Sequence, residues 1–177
     1  MISKAFILPT GSEIKDGTVL ELDCPKILEK LVKLNPEMVV VRQAPVVDVE
    51  KSIVEAMQRC VEDGADLIVL VGGSGGGHRF SPTLGKDYTH SAMEQWLDRK
   101  SARQIYGKNG HMWTNLVCGM KGDCLVVNVP GPLREAKAAI EAFTKSVEAD
   151  GDIFVINQAM TEAVFAQYPQ DKVSRNE

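Results

Sequence analysis

Apolar residues along this chain fall into two patterns. Short unbroken runs occupy residues 5–8, 38–41, 66–71, 124–129 and 153–156. Such runs, rich in aliphatic and β-branched residues, suit strands covered on both faces. Between them the apolar positions are spaced at helical intervals. Ile27, Leu28, Leu31, Val32 and Leu34 form one such stripe, entered through Asp23-Cys24-Pro25 and stopped by Asn35-Pro36. Ile53, Met57, Cys60 and Val61 form another, with Asp48 as the expected cap and Asp63-Gly64 as the stop. Residues 133–147 read as a third helix. Thr89 to about residue 103 reads as a fourth, with Trp96 and Leu97 inward and Asp87 or Thr89 as cap. Residues 104–111 have loop composition, 112–118 suit a short helix, 153–156 suit an edge strand, 161–167 a terminal helix or turn, and 172–177 a polar tail. The alternation predicts an α/β fold, a three-layer αβα sandwich with a mainly parallel sheet. It is expected to be one domain over 1–177, with a core of about 5–150 and a strand and helix extension over 151–177.

Composition narrows this picture. With 177 residues, 44% hydrophobic and 25% charged, the chain can bury a sizeable core. A net charge of −4 argues against a nucleic-acid surface, but leaves room for a phosphate held by backbone amides and a few local cations. No apolar run approaches the roughly 20 residues of a membrane span, and no signal-peptide pattern opens the chain. Cys24, Cys60, Cys118 and Cys124 are scattered without a C-x-x-C pair. They read as buried thiols, which points to a cytoplasmic protein.

The most informative stretch follows the 66–71 run. Gly72-Gly73-Ser74-Gly75-Gly76-Gly77 places five glycines among six residues at the carboxyl end of a strand. Glycine there removes Cβ atoms where backbone approaches something closely or φ is positive. Exposed N–H groups in such a turn attract anions, and this end of a parallel sheet is where ligands sit. The run is neither GxGxxG nor a Walker A loop. It matches G-x-S-x-G around Ser74, the pattern of a hydrolase nucleophile elbow, with Asp87 and His90 or His111 as conceivable partners. A glycine turn without ligand is a third reading. Glu13, in the turn after the first run, reads either as a crevice carboxylate or as a solvated one; Asp48 reads equally as a plain cap. The loop 78–88 suits gripping a ligand, and His78, His90 and His111 read as loop or surface residues.

Taken in order, these segments resemble the molybdopterin-binding domain shared by molybdopterin adenylyltransferases, molybdopterin molybdotransferases and CinA-like proteins, over about residues 5–145. Thr10-Gly11-Ser12-Glu13-Ile14 resembles the family's TGDEL segment. Asp23 stands at the Asp of its D-x-N helix start, and Asp48 at the acid before its second helix. Gly72-Gly73-Ser74-Gly75 is similar to GGTG or GGVS, and Asp87-Tyr88-Thr89 to D-Y-T or D-V-T. The stretch from Met112 to Gly119, followed by Leu125-Val126-Val127-Asn128-Val129-Pro130-Gly131-Pro132, resembles SRAxAG…LIINLPGSP.

The resemblance implies molybdopterin binding in molybdenum cofactor biosynthesis, either with Mg²⁺- and ATP-dependent adenylylation or as a non-catalytic carrier or regulator. It implies Asp87 and Asp48 as catalytic residues. Gly72, Gly73, Ser74, Gly75, Gly76, Thr89, Pro130 and Gly131 would hold the cofactor, and Glu13, Asp48 and Asp87 the metal. Arg79 and Lys86 would add cations. It further implies a homo-oligomer, with a trimer favoured, and contacts with other cofactor-biosynthesis proteins. The chain departs from the pattern where Phe80 follows Arg79 in place of an Asp, where Pro25 replaces the Asn of D-x-N, where Ser12 replaces an acid, and where Pro130-Gly131-Pro132-Leu133-Arg134 lacks a side-chain donor.

Overall fold

The computed structural model describes residues 2–76 and 87–175. Its elements in chain order are β1 (Lys4–Pro9), α1 (Ser12–Lys15), α2 (Asp23–Leu34), β2 (Val39–Arg42), α3 (Glu50–Glu62), β3 (Leu67–Val71), α4 (Thr89–Trp96), β4 (Arg99–Gly107), β5 (Met112–Lys121), β6 (Cys124–Val129), α5 (Leu133–Glu148), α6 (Ile153–Phe165) and β7 (Val173–Arg175). They build one seven-stranded sheet, ordered β2-β1-β3-β6-β5-β4-β7. The β2-β1-β3-β6 half is parallel and the β5-β4-β7 half joins it antiparallel. The expected α/β sandwich is therefore present, with parallel pairing confined to one half.

The apolar runs explain the parallel half. Every residue of β3 is buried, as are Ala5 to Leu8 of β1, because helices cover both faces. On one face α2, α5 and α6 pack Ile27, Leu31, Ile140, Phe143 and Met160 against Ile7, Val69 and Val127. On the other, α3 and α4 pack Ile53, Met57 and Met93 against Phe6, Ile68 and Val126. Leu28 and Val32 of the α2 stripe face outward, at 42% and 40% exposure, so that stripe is narrower than its spacing suggests.

The second half of the chain overturns several expectations. Helix α4 stops at Trp96, and Arg99 already belongs to β4. Residues 104–107 are strand and not loop, and 112–118 are strand and not helix, because β4 and β5 pair along most of their length. Conversely, 153–156 open a helix. Asp152 caps it, its carboxylate accepting from the N–H groups of Phe154 and Val155, both at 2.9 Å. Ile153, Ile156, Asn157, Met160 and Val164 then share the buried face while Phe154 and Val155 stay exposed. The tail contributes β7, paired with β4.

Capping also differs from expectation. Val49 and not Asp48 stands at the N-cap of α3, and no side chain caps it. Asp48 reaches instead to α1: its Oδ2 accepts from the Ser12 N–H at 3.0 Å, and its own N–H donates to Ser12 Oγ at 3.3 Å. At α2 the capping carboxylate is Glu21, whose Oε1 accepts from the N–H groups of Asp23 and Cys24, both at 2.6 Å. At α4 neither Asp87 nor Thr89 caps; Tyr88 holds the N-cap without a side-chain bond.

Candidate functional site

The site is built where β1, β3 and β6 end. The Thr10 hydroxyl donates to the Val71 carbonyl at 3.1 Å and lies 2.7 Å from the Thr89 hydroxyl. Together the two threonines latch the glycine turn to the start of α4, and the Thr89 N–H donates to the Gly73 carbonyl at 3.1 Å. Gly72 and Gly73 adopt φ of 92° and 60°, and a Cβ on Gly73 would stand 2.1 Å from Thr89 Oγ1. No other residue fits that conformation and that approach. Thr89 is fully buried behind the turn and is not among the residues that line the cavity below; its hydroxyl takes part in the latch.

Beyond Gly73 the sheet parts. β6 pairs with β5 only from Cys118↔Val127 to Lys121↔Cys124. At the next position the fully buried Asn128 inserts its side chain, accepting from the Val117 N–H at 2.6 Å and donating to the Asn115 carbonyl at 3.0 Å. Released from β6, β5 pairs with the glycine turn: the Asn115 N–H donates to the Ser74 carbonyl at 2.7 Å and the Gly76 N–H to the Met112 carbonyl at 3.2 Å. A Cβ on Gly75 would lie 2.4 Å from Asp87 Oδ2, and one on Gly76 2.8 Å from the Met112 carbonyl. The glycines thus let the turn press between Asp87 and β5.

Ser74 is buried, and its Oγ accepts from the Thr114 hydroxyl at 2.9 Å. His90 is held elsewhere, with Nε2 facing the Gly75 carbonyl at 3.2 Å and Nδ1 facing Asn115 Nδ2 at 3.3 Å. Among the described residues no base contacts Ser74, and no helix follows it directly, so the hydrolase reading lacks both its proton acceptor and its elbow.

A cavity of about 650 Å³ opens over this turn. Gly72 to Gly76, Pro130 and Gly131 line it, as do Glu13, Asp48 and Asp87. Two sets of amides are available to an anion. Among the described residues the N–H groups of Gly73, Ser74 and Gly75 carry no hydrogen bond, and α5 has Pro132 at its N-cap with no side-chain cap. The charged side chains of the lining are all acidic: Glu13, Glu21, Asp23, Asp48, Asp87 and Glu135, with no Lys, Arg or His among the described lining residues. No group of three or more His, Cys, Asp or Glu is arranged to hold a metal ion among the described residues. Gly77, His78, Arg79, Phe80 and Lys86 lie outside the described residues.

The sequence reading missed the far wall. Trp113 of β5 and Tyr168, beyond α6, meet edge to face with centroids 4.9 Å apart, and the Tyr168 hydroxyl donates to Glu135 Oε2 at 2.7 Å. Glu21 was missed as well, although an acid two residues before a helix start is a recognisable capping signal. Burial first, and then the Glu21 carboxylate, push Asp23 up to about 7. All four cysteines are buried and unpaired, and burial raises the Cys24 thiol to about 12. Among the described residues no helix is long and apolar enough to cross a membrane.

Known proteins share this arrangement of elements. The structure resembles that of the molybdopterin biosynthesis enzyme MoaB from Thermus thermophilus, at 21% identity and a TM-score of 0.62, over 93% of this chain and 98% of that one. It also resembles a molybdopterin biosynthesis protein from Mycobacterium abscessus, at 20% identity and a TM-score of 0.66, over 95% and 100% of the two chains. The Mog protein from Mycobacterium ulcerans is similar at 22% identity and a TM-score of 0.62, over 89% and 99%. No curated protein sequence matches the chain. Residues 6–149 match the family described as a probable molybdopterin binding domain, and that match spans both ends of the cavity floor, from β1 to α5. The chain belongs to the molybdopterin-binding domain family of molybdenum cofactor biosynthesis.

Proposed function

We propose that the cavity binds molybdopterin with its phosphate at the backbone amides, and that the protein transfers the adenylyl group of ATP to that phosphate. The observation that carries this reading is that open amides at Gly73 to Gly75 and the carboxylates Glu13, Asp48 and Asp87 line one cavity, with Asp87 against the turn itself. A phosphate oxygen of the pterin would attack the α-phosphorus of ATP, forming the new P–O bond as pyrophosphate leaves. So acidic a lining, without a described cation, needs positive charge before it tolerates phosphates. Mg²⁺ fits this donor set, since it is held by one or two carboxylates together with substrate phosphates, and not by a full protein cage. Asp48, Asp87 and Glu13 are the carboxylates from which its ligands would come, and it would neutralise charge on the phosphates. Trp113 and Tyr168 supply an aromatic wall against which a flat ring can pack.

A second reading, a carrier that binds the pterin without turnover, is favoured by Phe80, which follows Arg79 where the resemblance implies an Asp. One experiment separates the two. Purified protein is mixed with molybdopterin, ATP and Mg²⁺, and pterin binding and pyrophosphate release are followed together. Release that disappears in Asp87→Ala, with an unchanged melting temperature, supports transfer. Binding without release makes the protein a carrier. A homo-oligomer belongs to the same reading; Leu20, Leu22, Val39 and Phe154 are all more than half exposed, and light scattering gives the state directly.

A further inference from the structure

Among the described residues, Asp23 is a buried carboxyl at the cavity without a structural task. Helix α2 begins at Asp23, yet its first amides are taken by Glu21, whose second oxygen lies 3.4 Å from Arg42 Nη2. Asp23 is only 6% exposed and Oδ1 is buried with no hydrogen-bond partner. Among the described residues neither of its carboxyl oxygens takes part in a hydrogen bond, although the residue lines the cavity. Buried polar groups are almost always paired, and an unpaired one at a cavity marks a place that a ligand completes.

We propose that Asp23 recognises the amino-pyrimidinone edge of the bound pterin, its two oxygens accepting from the ring N–H and the adjacent exocyclic amine. This rests on the pterin-binding reading above and deepens it. The chemistry of the surroundings selects the donor edge. Glu21 sits beside Asp23, so an approaching phosphate or carbonyl would be repelled, and Glu21 is already occupied by α2 and Arg42 and cannot help to cage a metal. What remains is a neutral, flat fragment with two parallel donors, the geometry a carboxylate accepts in fork fashion. The phosphate is then left to the open amides of the glycine turn. The other titratable groups around Asp23 are Cys24 on its own helix and, in the cavity lining, Glu13 of α1, Asp48, Asp87, Glu135 of α5 and Tyr168. Because burial holds part of the Asp23 population protonated near neutrality, binding through two accepting oxygens releases a proton.

The test is competition against molybdopterin by pterin and by lumazine, in which a carbonyl replaces the exocyclic amine. Wild-type protein is expected to prefer pterin by about tenfold or more, and Asp23→Asn to bring the two near parity. Pterin affinity of the wild type should also rise about tenfold between about pH 5.5 and pH 7, a slope absent from Asp23→Asn. Equal competition by the two rings in the wild type overturns the proposal without any variant and leaves molybdopterin binding standing. So does an Asp23→Asn protein that weakens ATP and not pterin. Failure of molybdopterin itself to bind the wild type overturns the underlying reading, and this inference with it.

Discussion

The two halves of the sheet solve different problems. The parallel half, β2-β1-β3-β6, ends in a row of tight turns whose glycines and threonines are fixed by backbone contacts closer than a side chain would allow. The antiparallel half, β5-β4-β7, contributes a wall of side chains, Trp113 and, through the segment before β7, Tyr168. In the proposed reading one half would offer backbone amides to charge and the other aromatic rings to a flat ligand. Their boundary is made by the single side chain of Asn128, which satisfies the groups exposed where β5 leaves β6. A site of this kind needs a rigid floor and tolerates an adjustable wall, so substitutions on the two sides should differ in cost.

The largest effect is expected in the floor. Gly73→Ala sets a Cβ against Thr89 Oγ1 in a left-handed conformation and should cost on the order of 3 kcal/mol in urea unfolding, with loss of molybdopterin binding. A loss below about 1 kcal/mol would show that the latch yields, and the contrast between the halves would collapse. Next comes the boundary. Asn128→Ala strands the Val117 N–H and the Asn115 carbonyl in a dry interior and should cost about 2 kcal/mol. The smallest effect belongs to the wall. Tyr168→Phe removes one partly buried hydrogen bond to Glu135 while keeping the contact with Trp113, for about 0.5–1 kcal/mol by thermal melting. A cost equal to that of Gly73→Ala would make the wall as rigid as the floor.

The same division governs what could be read from the residues. In the parallel half β1, β3 and β6 are largely apolar runs stopped by glycine or proline, and each helix carries a spaced stripe, so β1, β3, β6, α2, α3 and α5 are legible. The glycine turn and the carboxylates Glu13, Asp48 and Asp87 are legible too, because they follow the strands or turns that position them. In the antiparallel half β4 exposes Arg99, Lys100, Arg103 and Gln104 and lacks a continuous apolar run. Ile153-Phe154-Val155-Ile156 looks like a strand because β-branched composition masks a 3.6-residue buried face that shows only when Asn157, Met160 and Val164 are counted with it. Trp113 and Tyr168 meet only because β5 lies between β6 and β4, a fact of sheet order that no local window contains.

The parting of the sheet at Asn128 has a further consequence for solvent exchange. The Val117 amide, locked in the interior by a side-chain oxygen, should exchange its proton only through large-scale opening, while the amides of Gly73, Ser74 and Gly75 should exchange almost at once. Fast and slow amides would then lie on opposite sides of one buried side chain. Ligand capture would register as new protection on the fast side alone, which makes deuterium uptake at the turn a direct gauge of occupancy.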